Sequence, residues 1–218
     1  MSKTALVIGG TRGIGNVIAS RFEATHTVIA VGRKWDGTLT ARPSVVVFAQ
    51  RWRGAPEDEW AGHLAVTLPP PYVMEALTAG ASVIMIGSAL ASTIGTEQSA
   101  GYHVAKAGLI QLVRYYAVML GPKGIRVNMI SPGATVKPES EAFYAAHPEI
   151  TDVYKQVCPL GRMGTANDVA DLALFLASPQ ASYITGQNFV LDGGMSCLSQ
   201  ESLARSLSAA KDIPVTQR

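Results

Sequence analysis

The stretch Thr4-Ala5-Leu6-Val7-Ile8-Gly9-Gly10-Thr11-Arg12-Gly13-Ile14-Gly15-Asn16-Val17-Ile18-Ala19-Ser20-Arg21-Phe22 decides how the rest of the chain is read. Thr4 to Gly9 is a short apolar run of the kind that forms a strand buried on both faces, and glycines punctuate its end. Beyond the turn, apolar positions 14, 17, 18 and 22 fall at helical spacing. A strand, a glycine turn and a helix therefore follow one another. Glycine at 9, 10, 13 and 15 lets the backbone turn tightly and lets a pyrophosphate approach the helix N-terminus, where free N–H groups and the dipole favour negative charge. A plain strand-to-helix turn rarely needs glycine at all four positions.

Working outward, 218 residues suffice for one sizeable domain and are few for two. Charged residues make up 16% and the formal charge is +2, too mild for a nucleic-acid partner, which calls for Lys and Arg clustered on one face. No apolar run reaches the roughly 18 residues of a membrane span, so a soluble protein without a membrane partner is expected. Cys158 and Cys197 are isolated, with neither a Cys-x-x-Cys nor a His-x-x-x-His, which argues against a disulfide framework and a metal site. The chain enters its first apolar run directly after Met1-Ser2-Lys3, leaving no room for a secretory leader, and a cytoplasmic location is the expectation.

A second stretch, Ser99-Ala100-Gly101-Tyr102-His103-Val104-Ala105-Lys106, places a phenol and an ammonium four residues apart, on one face of a helix. A tyrosine with a pKa of about 10 donates a proton well but is a poor base near neutrality; a lysine charge within about 4–6 Å favours the phenolate. The pair can then give or take a proton. Ser82 to Gly87 reads as a strand, and Ser88 lies just beyond its carboxyl end, where open α/β sheets bind ligands.

The Gly9-x-x-x-Gly13-x-Gly15 turn together with Tyr102 and Lys106 resembles the short-chain dehydrogenase/reductase family, with Ile8 where the family has a threonine. Ser88 after Ile86-Gly87, the Pro132-Gly133 corner and the closing Asp192-Gly193-Gly194 extend the resemblance over nearly all of residues 3–194. It implies an α/β fold, a Rossmann-like doubly wound parallel sheet with helices on both faces, and hydride transfer between a nicotinamide and a carbonyl or alcohol carbon of a small organic substrate. It further implies Ser88, Tyr102 and Lys106 as catalytic residues, with Ser92 the alternative hydroxyl. Gly9, Arg12, Gly13, Ile14 and Gly15 would line the pyrophosphate and adenosine side, and Tyr102, Lys106, Pro132, Gly133 and Thr135 the nicotinamide side. Residues 1–194 would form one cofactor-binding catalytic domain with a substrate lid at about 137–160, followed by a tail, 195–218, in which Leu203, Leu207 and Ala210 share a helical face. A homo-dimer or homo-tetramer is the implied assembly.

After the second strand, His26 to Gly32, an acidic residue would bind a ribose 2′-hydroxyl. The sequence has Arg33 and Lys34 instead, with Arg12 in the turn, a cluster suited to a 2′-phosphate and so to NADP(H), with NAD(H) as the alternative. Only 12 residues separate Gly32 from Val45, too few for the helix, edge strand and second helix the family places there. Twelve extended residues reach about 40 Å, while passing back along one strand and across a neighbour needs roughly 20–30 Å. A sheet of six strands with an uncovered adenine side is expected.

Other departures are local. Phe48-Ala49-Gln50-Arg51 stands where the family has Asn-Asn-Ala-Gly, and Arg51, Trp52 and Arg53 read either as a basic flap over the site or as a surface loop. Within the helix 57–68, Thr67 stands where the family's fourth catalytic residue is an asparagine, and Pro69-Pro70-Pro71 breaks the helix at once. Lys137 replaces the threonine usually found two positions beyond Thr135. These departures keep open a rival reading, a regulatory protein that binds the dinucleotide without turning over substrate. A reductase of an activated double bond is a further rival, although the spacing of Tyr102 and Lys106 is of the carbonyl type.

Overall fold

The computed structural model describes residues 3–32 and 35–208. Its centre is the apolar run read first: Thr4–Ile8 (β1) ends in the glycine turn, and Gly13–Phe22 (α1) leads back to Thr27–Val31 (β2). Val45–Phe48 (β3), Ser82–Ile86 (β4), Arg126–Pro132 (β5) and Asn188–Leu191 (β8) complete a six-stranded sheet. The order is β2-β1-β3-β4-β5-β8 and every pairing is parallel. Expectation and structure agree on six strands.

Strand side chains alternate between faces, so one sequence feeds two cores. On one face Leu6, Ile8, Val46 and Phe48 pack with Leu109 and Val113 of the long helix Ala100–Leu120 (α4). On the other, Ala5, Val7, Val45 and Val47 pack with Ile18 and Phe22 of α1 and with Val169 and Leu176 of Ala166–Ala177 (α7). Each large side chain fully buried this way contributes about 1.5–3 kcal/mol relative to exposure. Asp168 and Thr165 form a capping box at the start of α7, and Arg162 pairs with Asp168 at 2.8 Å.

The described residues of the link from β2 to β3 form no helix or strand, and among the described residues β2 is an edge paired only to β1. The edge is open, but the adjoining face is not: Trp35 and Leu39 of the link pack on the core, and the Trp35 ring lies 6.3 Å from that of Tyr72. Tyr72 belongs to Pro71–Glu75 (α3), which with Glu59–Thr67 (α2) replaces a single helix. An apolar sheet face must be covered, and here Trp35 and Leu39 of the link do part of that work.

α4 ends at Leu120 and passes into a short 3-10 turn, Gly121–Lys123, after which the chain reverses at Gly124 (φ 69°). The segment read as a substrate lid contains Glu141–Ala146 (α5) and Pro148–Val157 (α6), framed by a small sheet of Thr135–Val136 (β6) and Gly164–Thr165 (β7). In the tail Gln200–Ser206 (α8) is helical and lies against α6; Leu203 is partly buried, Leu207 is in the following turn, and Ala210 lies outside the described residues.

Candidate active site

At the carboxyl end of β1, the N–H groups of Gly9 and Gly10 both donate to the Val31 carbonyl, at 2.8 and 3.0 Å, which curls the turn over the sheet edge. Gly9 adopts φ 87°, and a Cβ there would lie 2.7 Å from the Ala49 carbonyl group. A Cβ on Gly15 would collide with the Gly9 carbonyl oxygen. The first intrahelical bond of α1 is Asn16 N–H to Arg12 O at 3.2 Å, so the N–H groups of Gly13, Ile14 and Gly15 precede it, and no side chain caps them. Over Gly13 (φ 56°) lies an internal anion, since a Cβ there would meet Glu139 Oε1 at 2.9 Å. A helix N-terminus with uncapped N–H groups and a carboxylate already beside it fits a dinucleotide pyrophosphate. Arg12 is exposed at the same turn. Arg33, and Lys34 with it, lie outside the described residues.

Tyr102 and Lys106 lie on the buried face of α4, 9% and 4% exposed. The Lys106 ammonium lies 5.9 Å from the Tyr102 ring centroid and donates to the Ile86 carbonyl at 3.0 Å. Burial first, and Arg51 second, push the Lys106 pKa down to about 8. Ser88, two residues beyond that carbonyl, is equally buried, and its Oγ accepts from the Leu90 N–H at 3.2 Å. Ser92 is exposed one turn away. The structure thus gathers Ser88, Tyr102 and Lys106 around the end of β4.

A wall opposite α4 was only half legible. Arg51 reaches over Tyr102, with its guanidinium carbon 5.5 Å from the ring centroid, and its Nη2 donates to Gln98 Oε1 at 2.9 Å. Trp52 leans on His63 at a ring separation of 4.8 Å, and His63 meets the edge of Tyr102 at 5.6 Å. Of residues 51–53, read as a flap or a surface loop, Arg51 and Trp52 make these ring contacts, and all three lie in irregular chain with Arg51 and Arg53 exposed. Glu59, one helical turn before His63, accepts from the Gly101 N–H at 2.8 Å, and Ser99 Oγ accepts from the Tyr102 N–H at 3.4 Å. Together they cap the helix that carries the phenol. Burial lowers the pKa of His63, Glu59 opposes that shift, and Arg51 and Lys106 add to it. Sequence reading missed His63; its one signal was the Glu59–His63 spacing of four on α2.

On the far side, β5 ends at Pro132 and Gly133 donates to Leu191 O at 3.0 Å; a Cβ on Gly133 would press on Asp192. Thr135 Oγ1 turns back to the Gly133 carbonyl at 3.0 Å. Lys137 is half-buried, and burial, then Arg51, lower its pKa against the pull of Glu139. Thr67 is buried at the last position of α2, where Leu68 turns extended. A separate cavity of about 460 Å³ opens at the amino ends of the strands beside Lys3, His26 and Arg126, remote from this constellation.

A glycine cradle at the first strand end, joined through Ala49 and Arg51 to a phenol and a buried ammonium, is the class-defining arrangement of a Rossmann-like oxidoreductase. Comparison with known proteins narrows this. The family profile described as enoyl-(acyl carrier protein) reductase matches residues 66–196. An uncharacterized oxidoreductase of Schizosaccharomyces pombe is 40% identical over 127 residues, 56% of this chain and 48% of that protein. A tropinone reductase homolog of Arabidopsis thaliana is 31% identical over 186 residues, 82% of this chain and 60% of that protein. The chain thus spans about half the length of these relatives. The crystal structure of an oxidoreductase of the short-chain dehydrogenase/reductase family from Burkholderia thailandensis superposes with a TM-score of 0.78 at 27% identity, over 95% of this chain and 97% of that one. The chain belongs to the short-chain dehydrogenase/reductase family.

Proposed function

We propose that this protein is an NADP(H)-dependent oxidoreductase acting on a carbonyl or alcohol carbon of a small organic substrate. The observation that carries the reading is the buried Tyr102–Lys106 pair beside Ser88, at the strand ends that also hold the glycine turn. A bound nicotinamide dinucleotide supplies or accepts the hydride. In the reductive direction Tyr102 gives its phenolic proton to the oxygen as the carbonyl becomes an alcohol, and Ser88 hydrogen-bonds that oxygen. Lys106 holds positive charge beside the phenol and binds the nicotinamide ribose. Gly13, Ile14 and Gly15 offer their N–H groups to the pyrophosphate once Glu139 withdraws. Pro132, Gly133 and Thr135 flank the nicotinamide, and Arg12 with Arg33 favours a 2′-phosphate over a 2′-hydroxyl.

Residues 1–194 act as one domain in this reading, at work in the cytoplasm. The exposed Tyr115, Val118 and Met119 of α4 suit pairing with a second copy of the chain. An assay of the purified protein with NADPH and NADH against aldehydes, ketones, alcohols and an enoyl thioester tests the reading. Oxidation of NADPH by a carbonyl compound is expected, and Arg33→Ala should weaken NADPH far more than NADH. Cofactor binding without turnover across the panel would instead favour the regulatory reading, and turnover of the enoyl thioester alone would favour double-bond reduction.

A further inference from the structure

We propose that Arg51 selects an anionic substrate, a small carbonyl compound bearing a carboxylate, whose charge it meets over the ring of Tyr102. The inference rests on the reading of Tyr102 as the proton donor and adds the chemical class of its substrate. Arg51 takes the place of a small residue in the family pattern, so its guanidinium is an addition to the site. It lies 5.5 Å from the ring centre and is steadied by Gln98, in the segment between Ser88 and Tyr102. That tether holds the guanidinium over the Tyr102 ring.

Three basic side chains share its surroundings, with Glu59 acting on His63 and Glu139 on Lys137 from the other side. Arg51 acts electrostatically on Lys106, on His63 and on Lys137, all of which are cations when protonated. No carboxylate lies within 4.0 Å of it among the described residues. The nearby acids are engaged elsewhere: Glu59 accepts from Gly101 at the start of α4, and Glu139 lies over Gly13. Like charges gathered at one mouth repel, and an anion placed among them relieves that repulsion. A guanidinium offers a planar fork that matches a carboxylate, and with one Nη occupied by Gln98 its remaining N–H groups can serve one.

The test uses a matched pair, 4-carboxybenzaldehyde and its methyl ester, with NADPH. The wild type should favour the acid by about tenfold or more in kcat/KM, the scale of a charge-assisted contact. Arg51→Gln should collapse that ratio through KM for the acid, Arg51→Lys should restore part of it, and Arg114→Gln, which removes an exposed charge elsewhere on α4, should keep it. An unchanged ratio in Arg51→Gln overturns the proposal. So does a loss of NADPH affinity that matches the loss for the acid, because the cation would then serve the cofactor phosphate. Calorimetric titration of the protein–NADP+ complex with benzoate and methyl benzoate reads the same site without turnover: benzoate binding that disappears in Arg51→Gln supports the proposal, and equal binding overturns it. Benzoate binding that depends on Arg51, with neither aldehyde turned over, would uphold the anion site while refuting hydride transfer.

Discussion

The two walls of the site are built on different terms. One is a single helix of 21 residues, α4, that carries Tyr102 and Lys106 one turn apart on its buried face. The other is assembled from the end of a four-residue strand, β3, and a broken helix, α2, and holds its shape through ring contacts of Trp52, His63 and Tyr102. The first wall follows the family pattern, and the second replaces it. The difference is one of construction: backbone hydrogen bonds of one long helix fix the first wall, and side-chain contacts fix the second.

Lys106→Met makes the sharpest break in the first wall. Turnover should fall by about a hundredfold or more, since the proton donor loses its partner, and the expected readout is NADPH consumption. Stability carries a second signature. The folded-state pKa of about 8 lies below the ordinary 10.5, so the buried charge opposes folding at pH 7, and that cost is relieved as pH rises through 8 toward 10.5. The stability difference between wild type and Lys106→Met, read by urea unfolding, should therefore shift toward the wild type by a few kcal/mol over that window. A flat difference would mean that the ammonium is not buried as described.

Trp52→Ala probes the second wall. The indole lies against His63 and over Gly62, where a Cβ would collide with it. Because Trp52 is only half-buried, the loss should be about 2 kcal/mol, below the value for a core tryptophan. Thr165→Ala removes one half of a capping box and should cost about 1 kcal/mol in the same unfolding measurement. The smallest expected effect is at the cradle. Glu139→Gln removes the anion beside Gly13 and should tighten NADPH by about two- to fivefold, the scale of a charge at a helix terminus.

How much of this could be read in advance follows from how each part is held together. Buried parallel strands are apolar runs, so β1, β3 and β4 stand out in the chain, and α4 runs from Ala100 to Leu120 as its apolar spacing indicates. Thr165 and Asp168 announce a helix start by their chemistry. The helices α5 and α6 mix aromatic and charged residues, and only Val157 of the two is buried, so their sequence does not announce a core-facing element. The second wall was hidden for another reason. Arg51 and Tyr102, or Ser99 and His63, meet only through the fold, and pairs 51 and 36 residues apart leave no spacing signature. Nor did the sequence disclose that Trp35 and Leu39 would cover the face beside the open edge.

The central claim is that the phenol of Tyr102 donates the proton at a site that binds the dinucleotide independently of it. Tyr102→Phe keeps the ring between Arg51, His63 and Lys106 and removes one hydroxyl, so it isolates that proton. NADPH affinity and single-turnover NADPH oxidation measured on this variant should separate: binding within about threefold of wild type, oxidation slowed by about 10²–10⁴-fold. Oxidation at an undiminished rate, or equal loss of both, would contradict the account.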